Sequence, residues 1–79
     1  MIKEKVHNIF EVVFGVSKKT LKPDSSPDNI DAWDSAKHID LIMTLEEEFD
    51  IQFDEDSILE MLSLKTIIDA VEKKLSKNE

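Results

Sequence analysis

Apolar residues recur along this chain at helical spacing, and no segment alternates as a half-buried strand would. Ile2, Val6, Ile9, Phe10 and Val13 step by three and four, which places them in one stripe. That stripe predicts a helix over about Ile2–Phe14, with Gly15, the one glycine, where a C-terminal cap belongs. A second helix is predicted over about Ser35–Phe49. A short third, over about Glu55–Leu62, turns Ile58, Met61 and Leu62 inward. Asp54 is its candidate cap, and Glu55 and Asp56 put negative charge at the positive end of its dipole. The fourth spans about Leu64–Leu75 behind Ser63, with Leu64, Ile67, Ile68, Val71 and Leu75 on one face and Lys73 and Lys74 at its C-terminal end. The expected fold is all-α, a small antiparallel four-helix bundle forming a single domain over residues 1–79.

Between the first two helices lies a long irregular stretch, Val16–Asp34, with two prolines and a polar run from Asp24 to Asp31. A loop of this length in a small domain is usually functional or packed on its own apolar residues. Leu21, Ile30 and Trp33 are the residues able to pack it.

The second helix separates into faces at about 100° per residue. With Ile39 at zero, Leu41, Ile42, Leu45 and Phe49 fall between about 200° and 300°, the core face. Ile39 and Met43 lie outside that arc, with Glu46 on one side and Asp40 and Glu47 on the other. An apolar pair ringed by one sign of charge is the layout of a protein-docking site. The alternative at this stage is that the pair only widens the core face.

Charge sharpens this picture. Formal net charge is −8, which disfavours nucleic acid and anionic membrane surfaces as partners. Thirteen acids and one lysine lie between Asp24 and Glu60, whereas the flanks hold five acids and nine lysines. An acidic middle between basic ends suits basic partners. The chain has no cysteine, which removes disulfides, zinc–thiolate sites and thiol catalysis. No stretch nears the roughly 20 apolar residues of a membrane span, and MIKEKVHNIF lacks the apolar core of a signal peptide. A cytoplasmic monomer is the expectation. The acids do not form a calcium loop, since the stretches Asp54–Met61 and Asp24–Asp31 lack the central glycine and the alternating ligands.

Ser35, at the start of the second helix, has three readings. It could be an ordinary N-cap, although Asp34 can fill that role and free the hydroxyl. It could be a nucleophile with His38 at i+3, but no glycine-rich elbow surrounds it. It could be an attachment point, exposed at a helix tip beside a docking face.

DSAKHIDLIMTLEEEFDIQF resembles the signature of acyl carrier proteins. In that family a serine follows an aspartate at the start of the second helix, and the helix ends in a run like Leu45-Glu46-Glu47-Glu48-Phe49. The order and length of the helices correspond over nearly the whole chain. The resemblance implies that Ser35 bears 4′-phosphopantetheine, added from coenzyme A by a phosphopantetheinyl transferase, and that acyl cargo rides on the arm as a thioester. It implies that Asp34, Asp40, Glu46 and Glu47, with Ile39 and Met43 among them, meet the transferase and the acyl-loading and acyl-processing enzymes through basic docking patches. It implies that Leu45, Phe49, Phe53, Ile58, Met61 and Ile67 line a cavity for the acyl chain. Such a chain is not itself an enzyme and holds no metal.

Ala36 stands where the family usually has leucine, Lys37 where an acid is common, Ala32-Trp33 where a glycine often lies, and Asp54 for a frequent proline. These departures favour a specialised pathway, such as polyketide, nonribosomal, lipid or surface-glycan synthesis, over general fatty-acid synthesis. Aminoacyl cargo, and an acidic adaptor without covalent cargo, are the competing readings.

Overall fold

The computed structural model describes residues 1–77. Four α-helices follow one another: α1 (Ile2–Phe14), α2 (Ser35–Phe49), α3 (Glu55–Glu60) and α4 (Leu64–Lys77), with a 3₁₀ turn at Lys18–Thr20. The small all-helical bundle expected from the apolar spacing is what forms, with no strand among the described residues. Helices α1, α2 and α4 pack against one another, and their stripes meet in one core. Val6, Phe10, Leu41, Leu45, Ile67 and Val71 are completely buried there.

The helix ends follow local chemistry. Gly15 closes α1 at φ 68°, in the left-handed region that glycine enters without steric cost, and its N–H donates to the Glu11 carbonyl. Asp54 caps α3 by accepting from the Ser57 N–H at 2.9 Å. Hydrogen bonding from Ser57 holds the Asp54 carboxyl below its ordinary 3.8. Ser63 caps α4 reciprocally: its Oγ accepts from the Thr66 N–H, and Thr66 Oγ1 accepts from the Ser63 N–H, each at 3.1 Å.

Helix α3 is shorter than the predicted Glu55–Leu62. It ends at Glu60, because Met61 turns out of helical geometry (ψ 66°) and sends its side chain into the core. The Ser63 cap then begins α4 two residues later. Leu62, expected inward, is 48% exposed as a result.

The long loop is tied down by the apolar packing the sequence suggests and by backbone hydrogen bonds it does not. Ile30 and Trp33 are buried in the core, and Leu21 packs against it. Phe10, Phe14 and Trp33 form a contiguous aromatic group with ring centroids 5.1–5.4 Å apart. The backbone contributes as well. The first N–H groups of α4 donate to this loop, Leu64 to Ser25 O (2.9 Å) and Lys65 to Pro23 O (3.0 Å). Buried Ser25 accepts from the Lys22 N–H at 2.9 Å. The loop therefore satisfies a helix terminus that would otherwise need water.

Candidate functional site

The tip of α2 is built by Asp34. Its backbone is extended, and its carboxylate accepts from the Lys37 N–H at 2.8 Å, which makes it the N-cap. Ser35 is therefore relieved of capping. It is exposed, and its hydroxyl has no hydrogen-bond partner among the described residues. The cap reading of Ser35 gives way to Asp34 for this reason.

The reading of Ser35 as a nucleophile served by His38 fails on geometry. Both ring nitrogens of His38 are engaged elsewhere: Nδ1 accepts from the Trp33 indole N–H at 3.0 Å, and Nε2 lies 2.9 Å from the Ile58 carbonyl. With both nitrogens so engaged and no hydrogen bond to Ser35 among the described residues, the imidazole does not act as its base. No group of three or more His, Asp or Glu side chains gathers as a metal site among the described residues.

A cleft of about 480 Å³ opens beside Ser35, walled by Trp33 and His38 on one side and by Ile58, Leu59 and Leu62 on the other. Leu59 is 71% exposed. Sequence reasoning singled out neither it nor Leu62 as a surface residue, since the short third helix carries too few turns to show which face is outward. The apolar residues at positions 59 and 62 were the signal available.

Along α2, Leu41, Ile42 and Leu45 are buried and Phe49 half-buried, as the angular reading expects. Ile39 and Met43 are each 54% exposed, so they do not widen the core. Asp40 and Glu47 are exposed around them. Glu46 differs. It is half-buried, and its Oε2 accepts from the Phe53 N–H at 2.9 Å. Its main-chain carbonyl also receives the Asp50 and Ile51 N–H groups where α2 ends, with Asp50 in the left-handed region at φ 55°. One residue thus organises the whole turn between α2 and α3. Sequence reasoning placed Glu46 with the docking acids because a helical wheel cannot register a bond from a side chain to a loop seven residues on. Val12, 81% exposed, lies across a shallow groove from Met43 and was also missed.

The six residues proposed for a cavity are not gathered around one opening. Leu45, Met61 and Ile67 are packed in the core at 0–2% exposure, and Phe53 is buried. Phe49 and Ile58 are half-buried, and only Ile58 lines the cleft beside Ser35.

A free hydroxyl at a capped helix tip stands beside an apolar cleft and above an acidic face, the arrangement that the resemblance to acyl carrier proteins leads one to expect. Comparison with known proteins agrees. No family model matches the chain. It is 39% identical over 74 residues to the acyl carrier protein of Chlorobium phaeobacteroides (strain DSM 266 / SMG 266 / 2430), a match covering 92% of this chain and 94% of that one. It is 37% identical over 73 residues to that of Nitratidesulfovibrio vulgaris (strain DP4), covering 92% and 96%. Among solved structures, the holo acyl carrier protein from Geobacter metallireducens superposes with a TM-score of 0.86 at 32% identity, covering 96% of this chain and 87% of that one. The acyl carrier protein from Thermotoga maritima gives 0.82 at 26% identity, covering 100% and 96%. The chain belongs to the acyl carrier protein family.

Proposed function

We propose that this chain is a single carrier domain that bears 4′-phosphopantetheine on Ser35 and presents acyl groups to partner enzymes. The observation that carries the assignment is the free Ser35 hydroxyl at a tip already capped by Asp34. The tip suits a phosphodiester. Of the first N–H groups of α2, Lys37 is taken by Asp34 and His38 by the Asp34 carbonyl, whereas those of Ser35 and Ala36 have no partner among the described residues. A helix N-terminus with free N–H groups favours an anion. When attached, the arm supplies a terminal thiol that holds cargo as a thioester, which the cysteine-free chain cannot do alone.

The protein's own residues position and steer. Asp34 holds the helix tip, and Trp33, Ile58, Leu59 and Leu62 offer the arm an apolar wall. Ile39 and Met43, with Asp40 and Glu47, form the face for a phosphopantetheinyl transferase and for acyl-loading and acyl-processing enzymes with basic patches. Charge-steered, small contacts allow fast exchange among such partners. No described helix is long and apolar enough to cross a membrane. We place the protein in the cytoplasm as a monomer, in a specialised acyl pathway.

Incubation with coenzyme A, magnesium and a broad-specificity phosphopantetheinyl transferase is expected to add one phosphopantetheinyl group to the wild type, read by intact mass, and none to Ser35→Ala. A wild-type chain that stays unmodified both there and when isolated from its native host contradicts the reading. It favours the adaptor without covalent cargo.

A further inference from the structure

The hydrogen bonds of His38 determine its tautomer. The indole N–H of Trp33 can only donate, so Nδ1 must be an unprotonated acceptor. The Ile58 carbonyl can only accept, so Nε2 must carry the proton and donate. One neutral ring on the first turns of α2 therefore joins the long loop and α3. The indole also stacks on the imidazole, with centroids 6.0 Å apart.

Both joints matter for the surroundings of Ser35. Helix α3 has six residues, none of them buried. A helix that short is not stable without tertiary contacts. Its Ile58 carbonyl otherwise receives only a long bond from the Met61 N–H, at 3.4 Å. The His38 bond is thus a cross-link from α2 across the cleft to the wall formed by Ile58, Leu59 and Leu62. Parting α2 from α3 next to Ser35 requires breaking it.

We propose that His38 is a positioning residue of the Ser35 site: its neutral ring latches the loop at Trp33 and α3 at Ile58 onto α2, holds the cleft in its narrow form, and lets go of Trp33 on protonation. Release on protonation is a matter of donors and acceptors. An imidazolium still donates from Nε2 to Ile58, but its Nδ1–H faces the Trp33 N–H, donor against donor, beside an indole that is 4% exposed. Around the ring, Ile58, Leu59 and Leu62 form one wall and the loop presents Pro27 and Trp33, none of them ionisable. On α2 the charged residue lining the cleft is Asp34, already bonded to the Lys37 N–H. The latch is a property of the folded chain. That the cleft receives the arm or its cargo rests on the carrier reading.

The test uses uniformly ¹⁵N-labelled wild type, His38→Gln and His38→Ala. At about pH 8, ring-nitrogen correlations are expected to place the proton of His38 on Nε2. His38→Ala is expected to speed hydrogen exchange of the Trp33 indole and the α3 amides by about tenfold, the worth of one net hydrogen bond. Glutamine offers an acceptor and a donor without a titrating ring, so His38→Gln is expected to keep wild-type protection to within about twofold. In acid strong enough for the ring-nitrogen correlations to show both nitrogens of His38 protonated, protection of the Trp33 indole is lower than at about pH 8 in the wild type and unchanged in His38→Gln. His7→Gln, which alters the other histidine, keeps the wild-type response. At about pH 8 a proton on Nδ1, a His38→Gln protein no better protected than His38→Ala, or a wild-type indole whose protection is unchanged once the His38 ring is seen to be protonated overturns the proposal. Loading of Ser35 is scored by mass on the same proteins. A chain that stays unloaded both there and when isolated from its native host refutes the carrier reading, while the exchange results, taken on unmodified protein, still decide the latch.

Discussion

Glu46 and Glu47 are neighbours of identical type on α2, yet the structure gives them different work. Glu46 accepts from the Phe53 N–H at 2.9 Å and is half-buried, whereas Glu47 is exposed. Alanine at position 46 leaves the Phe53 N–H without its partner in a turn packed against the core. A hydrogen bond to a charged group contributes about 1.5–3 kcal/mol net, and the partial exposure of Glu46 favours the lower end. A loss of about 1.5 kcal/mol in a domain of this size lowers Tm by roughly 6–12 °C. Glutamine keeps an acceptor oxygen but not the charge, so Glu46→Gln is expected to lose about half as much. Glu47→Ala removes no bond and is expected to stay within about 0.5 kcal/mol of wild type. Thermal and urea unfolding followed by circular dichroism measure all three. If Glu46→Ala and Glu47→Ala unfold within about 2 °C of each other, the assignment of Glu46 to the turn is wrong.

Other changes separate structure from recognition in the same way. Asp34→Ala removes the α2 cap and is expected to cost about 1 kcal/mol, whereas Ser35→Ala removes a hydroxyl with no partner among the described residues and is expected to cost under about 0.5 kcal/mol; equal losses in urea unfolding would contradict the capping assignment. Reversing Asp40 and Glu47 to lysine is expected to leave Tm nearly unchanged and to lower kcat/KM for a basic partner enzyme, most strongly at low salt; a salt-independent loss would count against charge steering. Burial first, then Lys3 and Lys18, lowers the proton affinity of His7 below its ordinary 6.5. The unfolded chain then takes up this proton before the folded one does, so stability falls as pH drops below 6.5 toward the folded value. His7→Gln is expected to flatten that part of the pH–stability curve, and an unchanged slope would assign it to other groups.

The local features of this protein are written in short-range pattern. Apolar spacing of three and four places α1, α2 and α4, because each must bury a stripe. Single residues mark the ends: Gly15 with its positive φ, Asp54 and Ser63 with their side-chain caps. The candidate site was legible for the same reason, since Asp34, Ser35 and the exposed Ile39/Met43 pair all lie on one helix and its cap. What the pattern could not carry is the pairing of groups distant in sequence. The end of α3 at Glu60 depends on Met61 finding room in the core. The bond from Glu46 to the Phe53 N–H depends on how the α2–α3 turn folds back. His38 reaches Ile58 twenty residues on, and only that contact, with Trp33 behind it, converts a candidate base for Ser35 into a brace beside it. A side chain's options are set by its type and its place on a helix. Which option it takes is set by the polar groups that folding brings within about 3 Å of it, because a partly buried donor or acceptor left unpaired costs more than any local preference gains.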